Sequence, residues 1–222
     1  MKRFKIEDLS PTLRILRRET RKYRLPIVSF VANYSQNDPF LVLISCILSL
    51  RTQDKTTTRA TERLFRLATK PQNMLRLSTE IIEKAIYPVG FYRTKARNIK
   101  AICHTLIEIF KGRVPSTLEK LLSLRGVGRK TANLVLTEGF NKLGICVDTH
   151  VHRISNRLGL VKTRTPEQTE FALREILPKR YWKEYNYILV TYGQNICKPI
   201  RPLCSRCKIY QYCLRVGVDK NN

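Results

Sequence analysis

Acidic side chains are scarce in this 222-residue chain: 17 Asp and Glu stand against 42 Lys and Arg, a formal charge of +25. That imbalance argues against an ordinary small-molecule enzyme and favours a polyanionic partner, nucleic acid or an acidic membrane surface first. Long apolar runs are also missing. The longest, Phe40 to Leu50 (FLVLISCILSL), is broken by serines and falls far short of the roughly 20 residues a membrane helix needs, so no transmembrane span is expected. Met1 to Ser10 is basic with no apolar stretch behind it, which speaks against a secretory signal and for an intracellular compartment. Glycine (9) and proline (10) are few against 43% hydrophobic residues. The chain therefore has enough apolar side chains to offset ordering entropy and is no disordered basic tail. Its length suits one or two domains with a substantial core.

Two-residue alternation of apolar and polar side chains is hard to find, whereas helical spacing recurs, as in Ala60, Leu64, Leu67, Ala68 and in Ala96, Ile99, Cys103, Leu106, Phe110. The chain reads as all-α. Capping-box patterns at Ser116-Thr117-Leu118-Glu119 and Thr165-Pro166-Glu167-Gln168 predict helix starts, their first and fourth side chains satisfying each other's amide groups. Phe40 to Leu50 is apolar nearly all round and reads as a helix buried within a bundle, although its Ile and Val content also suits a buried strand. No internal repeat or low-complexity segment marks a boundary. The basic stretch Arg14 to Arg24, the helical middle and the cysteine-rich end suggest a central helical domain and a second one carrying the cysteines.

Leu124-Arg125-Gly126-Val127-Gly128-Arg129-Lys130-Thr131-Ala132 falls between the capped segment at Ser116 and an apolar helical stretch through Leu134, Val135 and Leu136. A helix, a Gly-x-Gly turn and a second helix make a hairpin whose glycines allow positive φ and close approach of a phosphate, with free N–H groups of the following helix facing the anion. A tight turn with solvated basic residues is the bland alternative, and the net charge tips the balance toward binding. Lys130 suits phosphate binding from its spacing alone; as a neutral amine it would also be a nucleophile able to form a Schiff base. In Val147-Asp148-Thr149-His150-Val151-His152-Arg153, Asp148 is well placed as an N-cap. If the fold brings it near Lys130, its carboxylate could also act on the amine. His150 and His152, two residues apart, fall on different sides of a helix and read as structural.

Seven cysteines is an odd number for a disulfide framework. Cys46, Cys103 and Cys146 lie in apolar stretches and read as buried thiols. Cys197, Cys204, Cys207 and Cys213 crowd together as C-x6-C-x2-C-x5-C, a spacing that can wrap one soft metal centre, zinc or a cubane iron–sulfur cluster. Zinc ribbons usually offer two Cys-x2-Cys knuckles and only one is present, which tilts toward iron–sulfur. Lys198, Arg201, Arg206 and Lys208 surround these cysteines, with no acidic residue between Glu184 and Asp219. Those loops could touch phosphate or form a solvated basic rim.

Three motifs in order, LRGVGRKTAN, VDTHVHR and the four-cysteine ending, resemble the helix-hairpin-helix DNA glycosylases over about residues 25 to 215. The resemblance implies two helical domains with a DNA-binding cleft between them: a six-helix domain at 32–142, and an iron–sulfur domain from 1–31 with 143–222. It further implies a [4Fe-4S] cluster on Cys197, Cys204, Cys207 and Cys213. Lys130 would be the Schiff-base nucleophile attacking C1′ of a damaged nucleotide, and Asp148 the carboxylate assisting it. β-Elimination 3′ of the abasic site would follow, giving combined glycosylase and AP-lyase activity on oxidised pyrimidines flipped out of the duplex.

By the same resemblance Arg125, Gly126, Val127, Gly128 and Arg129 grip the DNA backbone, and Phe91, in Gly90-Phe91-Tyr92, matches a position for an apolar wedge between base steps. Arg51, in LSLRTQD, stands where glutamine is common, in a loop that fills the gap left by the flipped base. It could hydrogen-bond the orphaned base or a phosphate. Arg125 replaces the proline common before the hairpin glycines. The expected partner is double-stranded DNA carrying damaged pyrimidines or abasic sites, met by a monomer in the cytoplasm at the nucleoid, with no membrane involved. A monofunctional mismatch glycosylase acting on uracil or thymine lacks a lysine at the position of Lys130. A non-catalytic DNA-binding module stapled by zinc would share the charge, the hairpin and the four cysteines.

Overall fold

The computed structural model describes residues 4–218. Among them all regular structure is helical: α1 (Leu9–Thr20), α2 (Ile27–Tyr34), α3 (Pro39–Ser49), α4 (Asp54–Leu67), α5 (Pro71–Arg76), α6 (Thr79–Ile86), α7 (Tyr92–Glu108), α8 (Leu118–Leu122), α9 (Arg129–Leu134), α10 (Thr149–Leu158), α11 (Pro166–Ile176) and α12 (Trp182–Asn195). No helix of the described residues is long and apolar enough to cross a membrane. The chain divides into two compact units, Ile27–Gly144 and a discontinuous one formed by the described parts of Met1–Pro26 and Ile145–Asn222.

The Ile27–Gly144 unit is built around α3. Asp38 caps it, its carboxylate accepting from the N–H groups of Phe40 (2.8 Å) and Leu41 (3.1 Å), and Pro39 opens the first turn, where a missing N–H costs nothing. Phe40, Val42, Leu43, Ile44, Ser45, Cys46, Ile47 and Leu48 are all buried. The strand alternative for this run is thereby set aside: Pro39–Ser49 is a single α-helix. α2, α4, α7 and α9 pack around it, and α9 runs on into a π-helical turn, Val135–Gly139.

The discontinuous unit buries the apolar face of α1 (Leu9, Leu13, Leu16) in one core with Val151, Ile154 and Leu158 of α10, Leu173 of α11 and Tyr185, Ile188, Leu189 and Tyr192 of α12. Two helix starts differ in detail from the capping-box expectation. α8 is capped by Thr117, one residue later than Ser116, its hydroxyl accepting from Lys120 N–H at 3.4 Å. At α11 Thr165 is the cap as expected, accepting from Gln168 N–H at 3.2 Å, but the Gln168 side chain takes the N–H of Arg164 (2.9 Å) rather than that of Thr165.

Leu43 is fully buried in α3, and Leu43→Ala is expected to cost about 2–5 kcal/mol, the transfer term plus a cavity. Urea denaturation checks this; a loss below about 1 kcal/mol would contradict the central position of α3.

Candidate active site

The hairpin is fastened at several points. Leu124 and Val127 are buried, and Val127 N–H donates to the Leu124 carbonyl at 3.1 Å. Before α8, the Lys142 ammonium holds the Ser116 carbonyl (2.5 Å) and hydroxyl (3.1 Å). Gly126 has φ +78°, a conformation L side chains rarely adopt, and a Cβ there would meet the Asn98 amide of α7 at 2.5 Å. Gly128 is extended instead (φ −93°), so the expectation of positive φ applies to Gly126 alone. Nothing lies within 4 Å of where a Gly128 Cβ would be, which leaves backbone approachable from outside. Arg125 and Lys130 are exposed and Arg129 is half-buried. Lys130, the second residue of α9, makes its charge felt at Cys46 of α3. Burial pushes that thiol far above its ordinary range while Lys130 pulls it the other way.

Arg51 and Phe91, far apart in sequence, are neighbours. The Arg51 guanidinium carbon lies 5.7 Å from the centre of the Phe91 ring, an exposed cation–π pair worth about 0.5–1 kcal/mol. Phe91 is 62% exposed, so it is not the packed core residue that an apolar side chain would usually be. Both residues have left-handed backbones, φ +51° for Arg51 and +58° for Phe91, an uncommon conformation for side chains of this size. Gly90 lets the two loops meet: a Cβ there would be 2.8 Å from the Arg51 carbonyl oxygen, and its N–H donates to the Thr52 hydroxyl at 3.2 Å.

Under these loops is a residue the sequence reading passed over. Lys95 of α7 is only 5% exposed, and its ammonium donates to the carbonyls of Leu48 (2.8 Å) and Leu50 (2.5 Å) and to the Thr52 hydroxyl (3.2 Å). Burial lowers its pKa to about 8. The signal for it was available: Lys95, Ile99, Ile102 and Leu106 fall on one helical stripe, and a charge in phase with three buried apolar positions needs a partner.

In the discontinuous unit Asp148 is the N-cap of α10. One carboxylate oxygen accepts from the N–H groups of His150 and Val151, both at 2.9 Å, and the residue is 8% exposed. The histidines are occupied, His152 Nδ1 with the Thr169 hydroxyl (2.7 Å) and His150 Nδ1 with Arg153 (3.1 Å), as befits structural roles.

Cys197, Cys204, Cys207 and Cys213 line one recess with Tyr192, Arg157 and Arg215, partly open to solvent. Burial pushes the Cys213 thiol up to about 11 and raises those of Cys207 and Cys204. Among the described residues no three His, Cys, Asp or Glu side chains form a group for a single metal ion. Four thiols on one recess suit a single thiolate-ligated centre. Donors already point at the sulfurs: Arg157 Nη1 to Cys197 Sγ (3.4 Å), Tyr192 Oη to Cys207 Sγ (3.3 Å) and Arg215 N–H to Cys213 Sγ (3.4 Å). Such bonds stabilise thiolate charge. Arg157 also donates to the carbonyls of Lys198 (2.6 Å) and Pro199 (2.8 Å), and Arg153 to that of Cys197 (2.7 Å), so α10 braces the start of the cysteine loop. Lys198, Arg201, Arg206 and Lys208 are exposed around it.

A family model described as the HhH-GPD superfamily base excision DNA repair protein matches residues 44–179. Endonuclease III of Thermotoga maritima is 50% identical over 184 residues, which cover 83% of this chain and 86% of that protein. Among solved structures, a trapped Endonuclease III–DNA covalent intermediate in an estranged-adenine complex superposes with a TM-score of 0.84 at 32% identity, covering 95% of this chain and 96% of that one. A thermostable thymine-DNA glycosylase superposes with a TM-score of 0.72 at 24% identity over 89% of this chain and 97% of that one, a likeness of fold. Matched over most of its length in sequence and in fold, the chain belongs to the HhH-GPD superfamily of base excision DNA repair proteins and, within it, to the endonuclease III family.

Proposed function

We propose that this chain is a bifunctional DNA glycosylase and AP lyase that excises oxidised pyrimidines from duplex DNA and cleaves 3′ of the resulting abasic site. The observation that carries the reading is Lys130, an exposed amine in the second position of α9, directly behind the hairpin. In this reading the Lys130 nitrogen bonds to C1′ as the bond from C1′ to the base breaks and the base leaves with a proton. The sugar opens to an imine, and loss of a C2′ proton expels the 3′ phosphate. Asp148 acts as the carboxylate that accepts a proton from the amine and balances the positive charge that develops. Arg125, Gly126, Val127, Gly128 and Arg129 hold the backbone, Phe91 wedges into the stack and Arg51 faces the orphaned base. The relative trapped as a covalent intermediate with DNA supports the imine step. The partner is duplex DNA with damaged pyrimidines or abasic sites, engaged by a monomer. The monofunctional and zinc-stapled readings have no comparable observation in their favour.

Cys197, Cys204, Cys207 and Cys213 would hold a [4Fe-4S] cluster, supported by four thiols on one recess and by the donors aimed at the sulfurs of Cys197, Cys207 and Cys213. When bound, the cluster supplies iron–thiolate bonds that cross-link this loop.

Borohydride trapping on a duplex with a single abasic site tests the catalytic reading. A covalent adduct is expected with the parent and none with Lys130→Ala; an undiminished adduct in a folded Lys130→Ala protein would remove Lys130 from the mechanism. Asp148→Asn keeps an acceptor for the helix cap, so its stability should stay within about 0.5 kcal/mol, whereas Asp148→Ala should lose about 1 kcal/mol. Single-turnover excision should collapse in both variants; activity that followed only the stability loss would leave Asp148 a cap and nothing else. The purified protein should be brown, with iron and acid-labile sulfide in equal amounts. Stoichiometric zinc in a colourless protein would refute the cluster assignment.

A further inference from the structure

A helix that ends inside a folded unit leaves four carbonyls to be satisfied. At the end of α3 each has a partner: Cys46 O accepts from the Ser49 hydroxyl (2.9 Å), Ile47 O from Leu50 N–H (3.4 Å), Ser49 O from Thr52 N–H (3.2 Å) and Leu48 O from the Lys95 ammonium (2.8 Å). Lys95 thus closes α3 from another helix, with its positive charge at the negative end of the helix dipole. It reaches further, to Leu50 O and to the Thr52 hydroxyl. Those groups flank Arg51 on both sides. The same Thr52 hydroxyl accepts from Gly90 N–H and is 3.2 Å from Leu50 O, so one ammonium and one hydroxyl join the Arg51 loop to the turn that presents Phe91.

We propose that Lys95 is a positioning residue for opposite-base discrimination: by gripping the carbonyls before and the hydroxyl after Arg51 it holds that residue in its left-handed conformation, aimed at the orphaned base beside the Phe91 wedge. The proposal rests on the glycosylase reading above. Lys95 itself contacts neither base nor sugar; it acts through the backbone of residues 50–52. Nothing in the local sequence favours φ +51° at an arginine, and a left-handed non-glycine persists only where its surroundings over-determine it. Three hydrogen bonds from one buried cation supply that constraint.

The test compares borohydride-trapping rates on duplexes with one abasic site opposite A, G, C or T, for the parent, Lys95→Met, Lys95→Arg, Thr52→Val, Arg51→Ala and Lys95→Met combined with Arg51→Ala. The parent should discriminate among opposite bases, and Lys95→Met should reduce the ratio of its fastest to its slowest rate by about tenfold, the selectivity one bidentate base contact carries. Lys95→Arg, still a donor, should recover part of the ratio. Adding Lys95→Met to Arg51→Ala should change the ratio no further, a dependence that general destabilisation would not produce. A folded Lys95→Met that keeps the parent's ratio overturns the proposal, as does a parent indifferent to the opposite base. If Lys95→Met does not fold, Thr52→Val decides: a lowered ratio supports the coupling and an unchanged one overturns it. A parent that forms no adduct at all defeats the glycosylase reading instead, so the two failures are distinct.

Discussion

Burial of α3 on every side sets the conditions under which the rest of the Ile27–Gly144 unit is arranged. A helix sheathed by α2, α4, α7, α9 and the π-helical turn cannot let its end fray into water, because its last carbonyls would be stranded among apolar neighbours. The chain must leave it through a sharply defined turn with a partner for each acceptor. That requirement selects a buried ammonium on α7, and it puts Arg51 in a loop with little conformational freedom. The packing that stabilises the unit is thereby the packing that orients its exposed loops.

The discontinuous unit solves a related problem with arginine. Arg153 lies in the middle of α10 and Arg157 in its last turn, and their guanidinium groups take the carbonyl of Gly193 near the end of α12 and those of Cys197, Lys198 and Pro199 beyond it, where the backbone is no longer helical and cannot pair with itself. Burial makes the charged form of Arg153 less favourable, and the carbonyls around it are the compensation. The loop carrying Cys197 is consequently shaped by side chains from a helix some forty residues earlier. Behind it, Leu214 N–H returns to Leu158 O (3.3 Å) and the Leu214 side chain fills the space that Gly159 leaves.

What the sequence disclosed were features written in local spacing. The Gly-x-Gly hairpin before Lys130, Asp148 as a cap, the four grouped cysteines and the buried helix at 40–50 each depend on residues within a few positions of one another. Details of the caps were less secure, because Ser116 and Thr117 are both good acceptors and only the backbone path decides which one serves. The pairing of Arg51 with Phe91 and the partners of the buried Lys95 lay beyond such reading. Both join segments forty residues apart, and apolar periodicity counts hydrophobic positions while passing over a charge that shares their stripe. Gly128 shows the same limit from another side: its lack of a side chain could be read, but not that its backbone is extended.

The split of the second unit between the beginning and the end of the chain has a consequence for biosynthesis. On the ribosome, residues 27–144 form a contiguous stretch whose packing partners have all emerged before the remainder is made. α1 is made before them and has no such partner. Leu9, Leu13 and Leu16 pack on residues from α10, α11 and α12, so its apolar face waits until most of the chain has been synthesised. At roughly 5–20 residues per second that interval lasts on the order of ten seconds, long compared with the microseconds in which a helix forms. A short basic helix with one apolar face is therefore open to chaperones or to misassembly until the last third of the polypeptide arrives.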